Sequence, residues 1–204
     1  VPEVTERLCQ YLQLDSTPNP GSYQVYPEAL LQRLRVDIRI VRANYLGPSA
    51  RPLPEGGYID QWGVTISKEG YPVSHPLAEA QTVADIDAHP FPDPDAYDYE
   101  HYNELCERFS DYAVCGGDWS PFFTWSLEMM GTEQFLMNLH EKPEVANALL
   151  TRVADYYLET SRRMFEAAKG KIDIFFMGDD YGTQRCPFIH PRDFRIFILP
   201  QLKR

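Results

Sequence analysis

The chain has 204 residues, 44% hydrophobic and 24% charged, and 30 acids against 19 bases leave a net charge of −11. That is ample material for a sizeable core, one large domain or part of one, while the negative balance repels phosphate backbones and anionic membrane surfaces, which excludes nucleic acid and lipid as partners. No apolar run approaches the roughly 18 residues of a membrane span, the start VPEVTERLCQ lacks an export signal, and the four scattered cysteines form no CxxC pair, so the setting reads as reducing and cytoplasmic.

Taken in order, Pro27 opens a helix whose Leu30, Leu31 and Leu34 recur at helical spacing, and VDIRIV follows with the alternation of a short strand. From Gly56 to Pro76 the pattern is a hairpin: Val64 and Ile66 alternate with polar residues, KEG turns, and Tyr71 and Val73 return. Three X-Pro steps make HPFPDPDAYDY (89–99) a linker. Tyr102, Leu105, Cys106 and Phe109 then mark an amphipathic helix, YAVCGG a short strand ending in glycines, and PFFTWSLEMMGTEQFLMNLH a helix broken near Gly131. Pro143 opens a long helix ended by Gly170, about 40 Å at the standard rise, and IDIFFMG follows as an apolar, buried-looking strand. HPRDFRIFI starts a further helix at Pro191.

Helices alternating with continuous apolar strands predict parallel strands covered by helices, hence an α/β fold. Residues 1–100 read as an N-terminal extension, hairpin and linker, and 101–204 as the first regular strand and helix units of a larger whole. So few strands would leave apolar faces and an open edge.

In such folds ligands collect at the carboxyl ends of the strands. Asp37 and Arg39 fall at one such place, as a pair on one strand face or as ordinary ion-pair partners of each other or of neighbours. A second is CGGDWSPFFTW, where Gly116 and Gly117 allow close approach, Asp118 offers a charge and Trp119 a flat apolar surface, with core filling as the simpler role for Trp119 and Trp125. The third is GDDYGTQ: Asp179 and Asp180 are candidates for proton transfer, one raising the pKa of the other, or else Asp180 caps a turn and Asp179 is solvated. Gln184 could orient a ligand carbonyl or satisfy loop backbone. His75 and His190 each precede proline, which loop punctuation explains without a metal. Nucleophile-elbow, P-loop and HExxH motifs are missing, leaving an acid-base enzyme or a ligand-binding protein.

The succession VDIRIVRANYLGP, IDQWGV, HPLAEAQTVADIDAHPFPDPD, YAVCGGDWSPFFTWSLEMMGTEQFLMNLHEKPEVANALL and IDIFFMGDDYGTQRCPFIHPRDFRIFILPQLKR resembles the uroporphyrinogen decarboxylase superfamily over nearly the whole chain. The resemblance implies a TIM (β/α)8 barrel, of which this chain is the N-terminal portion, with its site at the carboxyl end of the strands. The superfamily joins the haem-pathway decarboxylase, which needs no cofactor, to cobalamin-dependent methyltransferases. The decarboxylase's MRQAGRY-type segment is replaced by DIRIVRANY, its pocket tyrosine falls on Leu127, and few arginines stand ready for a substrate with eight carboxylates. A methyltransferase-like branch is therefore favoured, with a corrinoid and with zinc held by a His-x-Cys pair and a later cysteine, ligands expected after Arg204. In this reading Asp179, Asp180 and Gln184 line the cleft, Trp119 and Tyr181 wall it, and the partners are a small-molecule or tetrapyrrole substrate, a corrinoid protein and a second copy in a homodimer. Porphyrinogen decarboxylation and a non-catalytic tetrapyrrole- or corrinoid-protein-binding barrel are the alternatives.

Overall fold

A computed structural model describes residues 2–17, 26–117 and 119–204. Their contacts divide the chain into two compact units, one formed by Val1–Tyr45, Tyr97–Asp118 and Ser161–Phe176, the other by Leu46–Ala96, Trp119–Thr160 and Met177–Arg204.

In chain order the elements begin with α1 (Pro2–Leu12), α2 (Glu28–Arg33), β1 (Ile38–Ile40) and β2 (Asn44–Tyr45). Short strands follow, β3 (Arg51–Pro52), β4 (Tyr58–Ile59), β5 (Thr65–Ile66) and β6 (Pro72–Ser74), then α3 (Val83–Asp87) and β7 (Tyr97–Asp98). The regular part holds α4 (Tyr99–Arg108), β8 (Ala113–Gly116), α5 (Phe122–Met130), α6 (Thr132–Glu141), α7 (Pro143–Ala168) and β9 (Ile174–Phe175). The last elements are α8 (Pro191–Asp193), a π-helical turn over Phe194–Ile198, and α9 (Leu199–Leu202).

The first unit is built on a parallel sheet in the order β1-β8-β9. Arg39 lies opposite Val114 and Cys115 opposite Ile174. Val41, Tyr102, Leu105, Cys106, Phe109, Val114, Met164 and Ala168 form its core, which is where the helical spacing of α4 sends its apolar face. Asp98 caps α4 by accepting the His101 N–H at 2.9 Å. Asp173 fixes the register of the third strand: its N–H donates to the Val114 carbonyl and its carboxylate accepts the Val114 N–H, both at 2.9 Å.

The second unit carries a four-stranded antiparallel sheet, β3-β4-β5-β6. The expected hairpin is its β5–β6 half; β3 joins as an edge strand, the place where Pro52 is tolerated in a ladder. Trp62, wholly buried, centres this unit's core, stacked on Trp125 at 5.3 Å and set edge-on to Tyr156 at 4.9 Å. Trp125 thus takes the core role.

Two expectations need correction. The stretch 89–99 is more than a linker: it holds a 3₁₀ turn at Pro94–Ala96, strand β7 paired with β2, and the cap of α4. The apolar run IDIFFMG is not dry, because Ile174, Phe175, Phe176 and Met177 are 39–45% exposed and only two of its residues are strand. β9 pairs with β8 on one side, and among the described residues no further strand covers the other. The parallel sheet with intervening helices makes this a mixed α/β fold; no closed barrel forms among the described residues. No helix there is long and apolar enough to cross a membrane.

Candidate functional site

The loop that follows β9 in sequence is held close to the start of α5, within the second unit. Gly178 donates its N–H to the Trp119 carbonyl at 2.8 Å, and a Cβ at Gly178 would stand 2.9 Å from Trp119 Nε1. Only glycine lets the indole lie against the backbone there.

Asp179 comes next and is fully engaged. Its Oδ2 accepts the Phe123 N–H at 2.6 Å, and its Oδ1 accepts the Thr124 N–H at 3.0 Å, the Thr124 hydroxyl at 2.6 Å and the Asp180 N–H at 2.9 Å. α5 has no side-chain cap of its own, since Pro121 stands at its cap position. Asp179 supplies the missing acceptor from a distant part of the chain and brings negative charge to the positive end of the helix. Burial pushes the Asp179 carboxyl above the usual range, and the donors from Thr124, Phe123 and Asp180 oppose that shift.

Asp180 is exposed. Tyr181 turns inward: its ring packs at 5.6 Å from that of Phe123 and edge-on to Phe194 at 5.3 Å. Its hydroxyl is buried and makes no hydrogen bond of normal geometry, although Asp179 is near enough to act on it. Burial first, and then the Asp179 charge, raise the phenol's pKa, so it stays protonated. Beyond it the Thr183 hydroxyl accepts the N–H groups of Arg185 at 3.1 Å and Cys186 at 3.2 Å, and Gly182 pairs with Pro187. Gln184 is exposed within this closed turn, and Trp119 is partly exposed.

The other candidates sit differently. Asp37 precedes β1 and is exposed, whereas Arg39 is 1% exposed within it. The Arg39 guanidinium forks onto Glu28, Nε to Oε2 at 2.9 Å and Nη2 to Oε1 at 2.7 Å. It also donates to the Val36 and Ile38 carbonyls and lies 3.7 Å from the centre of the Tyr112 ring. The pairing is with a neighbour rather than with Asp37, and every face of the guanidinium is occupied. Asp118 lies outside the described residues. Gly116 and Gly117 do allow close approach, but to the chain itself: a Cβ would meet the Tyr102 hydroxyl at 2.3 Å in the one case and the Phe175 ring at 2.5 Å in the other.

Sequence reasoning missed Thr124 and Glu28. A signal for Thr124 exists: PFFT starts a helix without Ser, Thr, Asp or Asn at the cap, so its first N–H groups need an acceptor from elsewhere.

Fold and loop together define an α/β protein with a parallel sheet and an acidic loop after its third strand. Among solved structures this fold is shared by a methyltransferase from Methanosarcina mazei, with a TM-score of 0.61 over 97% of this chain and 57% of that one, at 13% sequence identity. The chain therefore spans a little over half the length of that structure. No family model matches the sequence, and neither does any curated protein.

Proposed function

We propose that the chain forms the first part of a TIM (β/α)8 barrel of the uroporphyrinogen decarboxylase type and acts as a methyltransferase-like enzyme, moving a methyl group between a corrinoid and a small substrate. The observation that carries this reading is the fold shared with a methyltransferase over 97% of the chain. Parallel strands with helices between them are what the opening of such a barrel requires, and the loop 178–184 follows the third strand at its carboxyl end, the end at which barrels do their chemistry.

Within the loop the two acids divide the work. Asp179 is the positioning residue: bound by donors of α5, it fixes the loop's path. Asp180, exposed, is the acid presented to substrate, where it accepts a hydrogen bond or exchanges a proton. Gln184 offers an amide that orients a polar group of the substrate, and Trp119 gives an apolar wall. Tyr181, locked between Phe123 and Phe194, stiffens the loop from beneath. When bound, the corrinoid supplies the methyl group and zinc the acidity that makes a thiol a thiolate. Among the described residues no group of three or more His, Cys, Asp or Glu is placed to hold a metal, and no step here passes through one.

The test is to incubate the intact protein with methylcobalamin and a thiol, following the corrinoid absorbance, and in parallel with uroporphyrinogen, following carbon dioxide. Methyl loss from the corrinoid with no carbon dioxide is expected. Carbon dioxide without methyl transfer would make the protein a decarboxylase.

A further inference from the structure

The second unit holds a hollow that shares no lining residue with the loop 178–184. It opens between the end of β6 and the junction of α5 with α6, and its volume is about 630 Å³. Sites for small molecules run from about 300 to 1,000 Å³, so the space suits a molecule better than a bare ion. Hydrogen bonds tie its two sides together. The Leu77 N–H donates to the Met129 carbonyl at 2.9 Å, and His75 Nδ1 lies 2.6 Å from the Glu128 carbonyl oxygen. Gly131 leaves room for that imidazole, since a Cβ there would stand 3.3 Å from His75 Cδ2.

What the lining offers is acceptors, and what it lacks is a cationic side chain to meet them. A carbonyl oxygen can only accept, so the contact with Glu128 puts the His75 proton on Nδ1 and leaves Nε2, in the neutral ring, as an acceptor. Glu79, Glu128 and Glu133 add three carboxyls to the same lining. Among the described residues no lysine or arginine lines the hollow, and no ion pair engages any of the three acids. Burial, and then the charge of Asp60, push the half-buried Glu128 carboxyl above its ordinary range, with His75 opposing, as befits an acid short of a cation. Between these polar groups the wall is apolar, built by Pro72, Ala78, Met130 and Met137.

A metal ion would need several of these groups converging on one point, and among the described residues no three His, Cys, Asp or Glu do so. An ammonium group asks for less. Its hydrogen bonds of about 2.8–3.0 Å hold acceptors farther apart than metal bonds of about 2.0–2.6 Å do, and a stem attached to it covers apolar wall. We infer that this hollow binds a small organic cation, a primary ammonium on an aliphatic stem, with Glu128, Glu133 and His75 Nε2 facing the charge and Met130 and Met137 against the stem. The thioethers are polarizable and adapt to the stem's shape. The net charge of −11 on the chain draws such a ligand from solution. The site does not depend on the methyl-transfer reading.

Methionine methyl NMR of the intact protein reads the site, because Met130 and Met137 line it while Met164 belongs to the core of the other unit. The probes are n-hexylammonium, 1-hexanol and hexanoate, equal in stem and different in charge. Saturable shifts of the Met130 and Met137 signals are expected with hexylammonium, with Met164 unmoved and no comparable response to the other two probes. Glu128→Gln should weaken hexylammonium binding about tenfold or more. Glu166→Gln, the same loss of charge on α7, should leave it unchanged. Hexanol moving the two signals as strongly as hexylammonium would make the hollow a merely apolar cavity and overturn the inference even if no variant folds. Equal weakening by the two substitutions would trace binding to the overall charge and overturn it too, as would the lack of any saturable shift.

Discussion

Asp179 accepts two hydrogen bonds from Thr124, one from its hydroxyl at 2.6 Å and one from its N–H at 3.0 Å, across 55 residues of sequence. The carboxylate thereby does for α5 what a local cap would do. Replacing it with alanine strands the Phe123 and Thr124 N–H groups and should lower the stability of the chain by about 1–3 kcal/mol in urea unfolding. Thr124→Val removes the hydroxyl alone and should cost about 1 kcal/mol. Equal stability of Asp179→Ala and native protein would show that the cap has no structural weight.

The Arg39–Glu28 pair gives a contrast between breaking and replacing. With Arg39 1% exposed, Glu28→Ala leaves a buried charge uncompensated and should cost about 3 kcal/mol, toward the low end of the range because Glu28 keeps some contact with water. Arg39→Met removes the charge while keeping much of the volume, and thermal unfolding should show it as the less damaging of the two.

Gly117 has φ of 97° and no room for a side chain against Phe175. Gly117→Ala combines backbone strain with overpacking and should destabilise by about 1–3 kcal/mol, read by denaturation. Gly70, also at positive φ but with nothing within 4 Å of its would-be Cβ, should lose only the backbone part on the same substitution.

Thiol reactivity separates the cysteines. Cys9, Cys106 and Cys115 are buried, and burial, against a weaker pull from Lys171, pushes the Cys106 thiol up to about 11. At mildly alkaline pH a chromogenic disulfide reagent should titrate one thiol in the native chain, Cys186, and four after unfolding. Rapid reaction at a second site in native protein would contradict the packing of α1, α4 or β8.

What could be read from the sequence was whatever local pattern decides. Gly131 does break the helix that begins after Pro121, Pro143 does open the longest helix, and the spacing of Tyr102, Leu105 and Cys106 does give the buried face of α4. What could not be read depended on partners far along the chain. Nothing around Asp179 announces that its acceptors are spent on α5, and nothing around Arg39 points to Glu28 rather than to Asp37. The exposed run at Ile174–Met177 misleads for a related reason: apolar composition predicts a dry strand only where neighbours exist on both sides, and among the described residues β9 has one.

The division of labour between the two loop acids is tested most directly by steady-state methyl transfer from methylcobalamin to a thiol with the intact protein and its Asp180→Asn variant. The account predicts native folding of the variant, by its near-UV spectrum, with kcat lowered by about 10²-fold or more. A folded Asp180→Asn enzyme that turns over at the native rate would contradict it.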